Sequence, residues 1–241
     1  MKKYVIGDIH GGLKALKQVL SKTPHKKNDT LIFLGDYVDG WSESPQVIDY
    51  LIHLSQIQNC IFIRGNHDDL LLQYLKTKKL NSEWFKHGGE STLNAYKLLS
   101  KNKIDEHIHF LENLQNYYLD DNNKLFVHAG FTNIKGVDFE YFPELLYWDR
   151  TLWECACALN PNIKESSPLF PNRLKIYKEI YIGHTPVTRI NKTIPTKMHN
   201  VWNLDTAAAF MGTISVLDTD TKEFWQSNSV QSFYPNEKGR N

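Results

Sequence analysis

Tyr4-Val5-Ile6-Gly7-Asp8-Ile9-His10-Gly11-Gly12 runs from a short apolar stretch through a glycine to an acid and an imidazole. Four more apolar runs end in a glycine-containing cluster that bears Asp, His or Asn. Leu31-Ile32-Phe33-Leu34 leads into Gly35-Asp36-Tyr37-Val38-Asp39, and Cys60-Ile61-Phe62-Ile63 into Arg64-Gly65-Asn66-His67-Asp68. Leu125-Phe126-Val127 leads into His128-Ala129-Gly130, and Ile180-Tyr181-Ile182 into Gly183-His184-Thr185-Pro186. Apolar runs this short, rich in Ile, Val, Phe and Tyr and ended by polar clusters, read as buried strands. Between the first three, Leu13, Leu16, Val19 and Leu20, then Val47, Ile48, Leu51, Ile52 and Leu54, recur at helical spacing. Strand, helix, strand, helix, strand requires parallel pairing through right-handed crossovers, so the fold class is α/β. In such sheets the ligand crevice lies beyond the carboxyl ends of the strands. Five strand ends therefore carry Asp, His or Asn toward one crevice.

Outside these strands, residues from about 68 to 115 read as a helical insert, with stripes at Leu71, Leu72 and Leu75, at Leu93, Tyr96 and Leu99, and at Ile104, Ile108, Leu111 and Leu114. A less regular insert spans about 133–178. Residues 200–228 alternate like two or three antiparallel strands, with Asp218 to Thr221 as a turn. No repeat, low-complexity tract or linker interrupts the 241 residues, so a single domain over 1–241 is expected.

Composition narrows the class further. With 41% hydrophobic and 12% aromatic residues the chain is not disordered. Its 28 basic and 27 acidic side chains provide no general field for nucleic acid or an anionic membrane. No window approaches the ~18 apolar residues of a membrane span, and the apolar run behind Lys2 and Lys3 is too short for a signal peptide. Cys60, Cys155 and Cys157 are odd in number and offer one C-x-C pair, read as structural thiols of a cytoplasmic protein.

The residue types at the strand ends suit a pair of divalent cations. Carboxylates can bridge, imidazoles supply neutral nitrogen, and an Asn carbonyl adds oxygen without charge. Two such ions bring +4 against −2 from Asp8 and Asp36, leaving charge to hold a hydroxide and attract a phosphate dianion. Nucleotide-loop and dinucleotide fingerprints are absent, as is a G-x-S-x-G elbow.

Taken in order, these segments resemble the calcineurin-like metallophosphoesterases and, within them, the phosphoprotein phosphatase group. The matches to GDxHG, GDxVD, RGNHD/E, HAG and GHTP run from Gly7 to Pro186, and Asn203-Leu204-Asp205-Thr206 is similar to the group's closing NxDT. The resemblance implies a four-layer α/β/β/α sandwich with a dinuclear centre, manganese first and iron or zinc as alternatives. It implies Asp8 and His10 on one ion, Asp36 bridging, and Asn66, His128 and His184 on the other. His67 would be the general acid and Asp39 the carboxylate orienting it; Arg64, Arg150 and Asn66 would hold phosphate. An imidazole paired with a carboxylate is suited to donating a proton near neutral pH.

Two departures stand out. Where the group usually has an arginine after Asp39, the chain has Gly40-Trp41-Ser42, which removes a bidentate phosphate contact. Gly40→Arg is accordingly expected to lower KM, and Trp41 to cover a hydrophobic rim. Ala207 stands where the group usually has Gly.

The expected activity is that of a serine/threonine phosphoprotein phosphatase or small-phosphoester phosphomonoesterase, by direct attack of a metal-bridging hydroxide. The alternative is a symmetrical diadenosine tetraphosphatase or other nucleotide phosphohydrolase: relatives of the former share GNHD, as at Gly65 to Asp68, but tend to lack the acid-orienting Asp present here as Asp39. A non-catalytic binding module is disfavoured by the complete ligand set. No nucleic-acid or membrane partner is expected.

Overall fold

The computed structural model describes residues 1–240. In chain order, β1 (Lys3–Ile6), α1 (Leu13–Lys22), β2 (Thr30–Phe33), α2 (Ser44–Ser55) and β3 (Asn59–Phe62) alternate as the apolar pattern requires. The helical insert follows as α3 (Asn66–Thr77), α4 (Ser82–Trp84), α5 (Glu90–Tyr96) and α6 (Lys101–Glu112). Next come β4 (Tyr117–Leu119), β5 (Lys124–Val127), α7 (Leu145–Trp148), α8 (Thr151–Ala158) and β6 (Glu179–Ile182). The chain closes with β7 (Thr196–Met198), β8 (Val201–Asn203), β9 (Ser215–Asp218) and β10 (Phe224–Gln226).

Two five-stranded sheets result, ordered β10-β9-β1-β2-β3 and β4-β5-β6-β8-β7. In the first, β1, β2 and β3 are parallel, with Val5 opposite Ile32 and Ile32 opposite Ile61. In the second, β5, β6 and β8 are parallel. Because side chains alternate faces along a strand, each short apolar run serves two layers. Val5, Ile32 and Leu217 of one sheet meet Phe126 and Tyr181 of the other in a core between the sheets. Their neighbours Tyr4, Ile6, Leu31, Phe33 and Val216 point outward into the core under α1, α2 and the helical insert. Leu125, Val127, Ile180, Ile182 and Val201 do the same beneath Leu152 and Trp153 of α8. Helix, sheet, sheet, helix is thus the sum of strands apolar on both faces, each fully buried Ile, Leu or Val contributing about 1.5–3 kcal/mol. The four-layer sandwich expected from the resemblance is the architecture observed.

Two local expectations change. Within residues 200–228, β9 and β10 are the expected antiparallel pair around the turn after Asp218, lying on β1 in the first sheet, but β8 joins the second sheet parallel to β6. Alternation marks which side chains face a core, and it is silent on which core. Helix α3 also begins at Asn66, two residues before the insert expected from 68, so its first turn lies inside the strand-end cluster.

All three cysteines are free, and burial pushes the Cys60 thiol up to about 12, in keeping with a structural role. Among the described residues no helix is long and apolar enough to cross a membrane.

Candidate metal centre

The carboxyl ends of β1, β2, β3, β5 and β6 meet at one edge of the sandwich. There, ligand atoms of Asp8, His10 and Asp36 lie within 4.8 Å of one another, and those of Asp36, His128 and His184 do likewise. Asp36 belongs to both groups. Asn66 Oδ1 stands 2.9 Å from His184 Nδ1 and 3.3 Å from His128 Nε2. All six residues named from the sequence as ligands are therefore together, and all are buried.

The backbone is bent to achieve this. His10, Asp36, Asp39 and His184 have φ of 51°, 53°, 72° and 65°, a left-handed conformation uncommon outside glycine. Such strain persists only where surrounding bonds over-determine it. Asp68 is one of those bonds: Oδ2 accepts from the Asp36 and Gly65 amides at 2.8 and 2.9 Å, and Oδ1 from Tyr37 at 2.8 Å. One buried carboxylate on α3 thus ties the loop after β2 to the loop after β3. Gly183 is needed for close approach, since a Cβ there would sit 2.0 Å from Asp8 Oδ1.

The imidazoles are aimed by their outer nitrogens. His10 Nδ1 donates to Val38 O at 3.1 Å and His128 Nδ1 to Leu34 O at 2.7 Å. These bonds fix each ring with Nε2 turned toward the carboxylates, the nitrogen a cation would take once its proton is displaced. His10 Nε2 is 3.7 Å from Asp8 Oδ2 and 3.5 Å from Asp36 Oδ2, and His128 Nε2 is 3.4 Å from Asp36 Oδ2.

Charge in the cluster is unbalanced without cations. Burial opposes ionisation of Asp36, but His128, His67 and His10 hold its carboxyl well below the usual range. Burial also opposes the His128 imidazolium, yet Asp36 and Asp8 push it up to about 9. His184 goes the other way: burial, with the His128 and Arg150 charges, pulls it well below the usual imidazole value. His184 is thus a neutral ring, and its Nε2 is buried with no hydrogen-bond partner among the described residues. A buried nitrogen lone pair without a donor is costly unless something binds it. Together with two carboxylates and an amide oxygen, it makes a donor set that fits two divalent ions.

Beside the cluster, His67 Nδ1 is 2.6 Å from Asp39 Oδ2, and Trp84 Nε1 donates to the same oxygen at 2.5 Å. Burial lowers the His67 pKa and outweighs the opposing pull of Asp36 and Asp39, although a carboxylate partner by itself favours the imidazolium. Trp84 comes from α4 in the helical insert, and no pattern in the sequence points to it.

A cleft of about 460 Å³ opens onto Asp36, Asn66 and His67. Arg150 lines it, its Nη1 bonded to Thr185 Oγ1 at 2.9 Å and His184 O at 3.4 Å. Arg64 is not brought there: its guanidinium reaches Glu112 O and Leu114 O at 3.3 and 3.4 Å and faces Asp69 at 3.7 Å. Instead Arg189 and Arg240 line the cleft, with Trp148 and Phe210 among its walls. Arg189 lies three residues beyond Pro186 and was legible only as a neighbour of that motif; Arg240 carried no signal at all. Trp41 is fully buried, donates from Nε1 to Ala208 O at 2.7 Å and stacks on Tyr234, so it covers no rim. Asp205 of the closing segment borders an adjoining cavity with His10, where burial and the Asp8 charge push its carboxyl up to about 8.

The family model of the calcineurin-like phosphoesterases matches residues 1–211, and the chain belongs to that family. It is 28% identical to the asymmetrical bis(5'-nucleosyl)-tetraphosphatase PrpE of Oceanobacillus iheyensis, over 97% of this chain and 94% of the relative. Similarity to the protein of the same name from Halalkalibacterium halodurans is also 28%, over 98% and 97%. Among solved structures, one bearing the provisional name of diadenosine tetraphosphatase superposes with a TM-score of 0.67 at 18% identity, covering 95% of this chain and 93% of its own. A serine/threonine phosphatase from Saccharomyces cerevisiae superposes with a TM-score of 0.62 at 17% identity, covering 100% and 83%. At such identities the two structures speak for the fold alone.

Proposed function

We propose that this phosphoesterase is a nucleoside polyphosphate hydrolase that cleaves dinucleoside tetraphosphates asymmetrically, releasing a nucleoside triphosphate and a nucleoside monophosphate. The observation that carries this reading is the composition of one cleft: guanidinium groups and the exposed face of Trp148 flank the metal-ligand cluster. A polyphosphate needs several cations along its length, and a nucleoside needs an aromatic surface for its base. The names of the two bacterial relatives, matched over nearly their full length, support the same substrate class and the asymmetrical outcome.

Asp8, His10 and Asp36 would hold one divalent ion, and Asp36, Asn66, His128 and His184 the other, with manganese the first candidate. Bound ions would supply Lewis acidity, lowering the pKa of a water and neutralising charge on the attacked phosphoryl oxygens. The chain's residues do the rest. Arg150, fixed by Thr185 and the His184 carbonyl, orients the phosphate chain, and Arg189 extends the positive lining of the cleft. His67, held by Asp39, is placed to hand a proton to the leaving oxygen, a service that matters most when that oxygen is strongly basic. Burial of the cluster excludes bulk water and strengthens each of these interactions.

The second reading is a phosphoprotein phosphatase, and the Asp39–His67 pair favours it, because serine and threonine are poor leaving groups. Purified protein with manganese would be given diadenosine tetraphosphate, phosphoserine and phosphothreonine peptides, and p-nitrophenyl phosphate in parallel. The expected result is the highest kcat/KM on the dinucleotide, with ATP and AMP as products. Two ADP would point to symmetrical cleavage. Preference for the peptides would replace the proposal by the second reading.

A further inference from the structure

The segment from Val230 to Arg240 is fastened across the mouth of the cleft by contacts that have no part in the metal centre. Tyr234 stacks on Trp41 with ring centroids 5.5 Å apart, and its hydroxyl bonds Glu43. Glu237 accepts from Ser42 N at 3.0 Å and from Ser42 Oγ at 2.6 Å. The Arg240 amide donates to Ala209 O at 2.9 Å. These bonds carry the Arg240 side chain over two loops that were cleared for it. Gly40 N donates to Gly88 O at 3.2 Å, joining the loops, and a Cβ on Gly88 would stand 2.8 Å from Arg240 Cγ. At Gly40 a Cβ would stand 3.4 Å from the same atom. The guanidinium then lies over Phe210, with Cζ 5.6 Å from the ring centroid, and Arg240 borders both the cavity at His67 and Asp36 and the adjoining one at His10 and Asp205. Its Nε is buried without a hydrogen-bond partner among the described residues.

We propose that Arg240 is a phosphate-binding residue, delivered to the active cleft by the 230–240 strap and gripping a phosphoryl group of the substrate. A guanidinium presents a rigid fork of donors matched to phosphate oxygens, and a partly buried Nε–H without an acceptor is a site waiting for one. The strap makes good the vacancy at position 40: the guanidinium absent there arrives from the far end of the chain through the space a side chain at 40 would take. Gly40→Arg is therefore expected to raise KM by displacing Arg240, the reverse of the expectation from sequence. Gly40 also has φ of +101°, which any replacement would strain.

The inference rests on the cleft being a phosphoester site, and its test does not depend on a nucleotide being the substrate. Inorganic phosphate is titrated calorimetrically into metal-loaded wild type, Arg240→Ala and Arg240→Gln, and KM and kcat are measured on p-nitrophenyl phosphate. Loss of a charge-assisted bidentate contact predicts a phosphate Kd and a KM raised ~10- to 100-fold, with kcat changed less. Arg240→Lys should recover part of the loss. The glutamine variant keeps a long stem on Gly88, so it reports even if the alanine variant loosens the strap; melting temperatures check both. An unchanged phosphate Kd in a folded Arg240→Gln protein overturns the proposal. Failure on dinucleotides with an intact Arg240 effect on inorganic phosphate would sink only the substrate reading.

Discussion

His67 Nδ1 lies 2.6 Å from Asp39 Oδ2, in a pair whose side chains are 5% and 0% exposed. With Asp39 holding one ring nitrogen, the other is left for substrate, and Trp84 fixes the carboxylate from behind. His67→Asn should leave bound metal unchanged and lower kcat by ~10²–10⁴ on an alkyl phosphomonoester, the usual loss for a general acid. On a phosphoanhydride, whose leaving group is far less basic, the loss should be smaller. Equal losses on both substrates would remove the proton-donor role. Trp84→Phe should show a weaker form of the same contrast.

Asp36 is the residue common to both ligand groups. Asp36→Asn removes the one carboxylate placed to serve both cations, and its backbone amide remains bonded to Asp68. Elemental analysis of the dialysed variant should find less than one metal per chain, together with loss of turnover. Two metals retained with normal kcat would contradict the bridging role.

Ala207 has φ of +65° and is buried, a left-handed conformation that costs a side chain about 1–2 kcal/mol. That geometry explains why glycine is usual at this place. Ala207→Gly should stabilise the protein by up to about 1 kcal/mol, part of the relief being offset by the freer unfolded chain. For a chain of this size the melting temperature should rise by about 2–4 °C. A fall in melting temperature would show that the methyl group's packing outweighs the strain.

Acid sensitivity should come from carboxylates that pin the sheets. Lys3 Nζ is 2.6 Å from Asp120 Oδ2, linking one sheet to the β4–β5 turn of the other, and Lys2 Nζ is 2.8 Å from Asp218 Oδ2. Burial raises both carboxyl pKa values, but Lys3 with the Lys124 and Asn122 amides, and Lys2 with the Asp220 and Thr221 amides, bring them below the usual value. Both therefore add stability that is complete above the unfolded pKa of about 3.9 and is lost as pH falls through the lower folded values. The part of the urea midpoint owed to these two pairs should be flat from neutrality to about pH 5 and drop below about pH 4. Asp120→Asn should lower the midpoint at neutral pH and make the acid drop shallower; an unchanged pH profile would exclude the pair as a contributor.

The strand ends were readable because their chemistry is local. Each apolar run forces a strand, each glycine lets the chain turn sharply, and the next few side chains must then project from the carboxyl edge. That logic brought acids, imidazoles and Asn66 to one edge; the choice of Asp8, His10, Asp36, Asn66, His128 and His184 as ligands, and of Asp39 as the partner of His67, was what the family resemblance implied. Arg64 shows where adjacency misleads: it sits two residues from Asn66, yet its guanidinium turns to the carbonyls at the end of α6.

Order along the chain thus determined the α/β class, the two helical crossovers of the first sheet and the set of residues able to bind metal. Tertiary packing alone decided which sheet β8 and β9 join, that Trp84 braces Asp39, and that Arg189 and Arg240 face the cleft in place of Arg64. The reason is the range of the forces involved. A strand and its turn are set by neighbours a few residues apart, whereas a guanidinium brought across 200 positions depends on aromatic stacking, hydrogen bonds and empty space between segments that share no pattern.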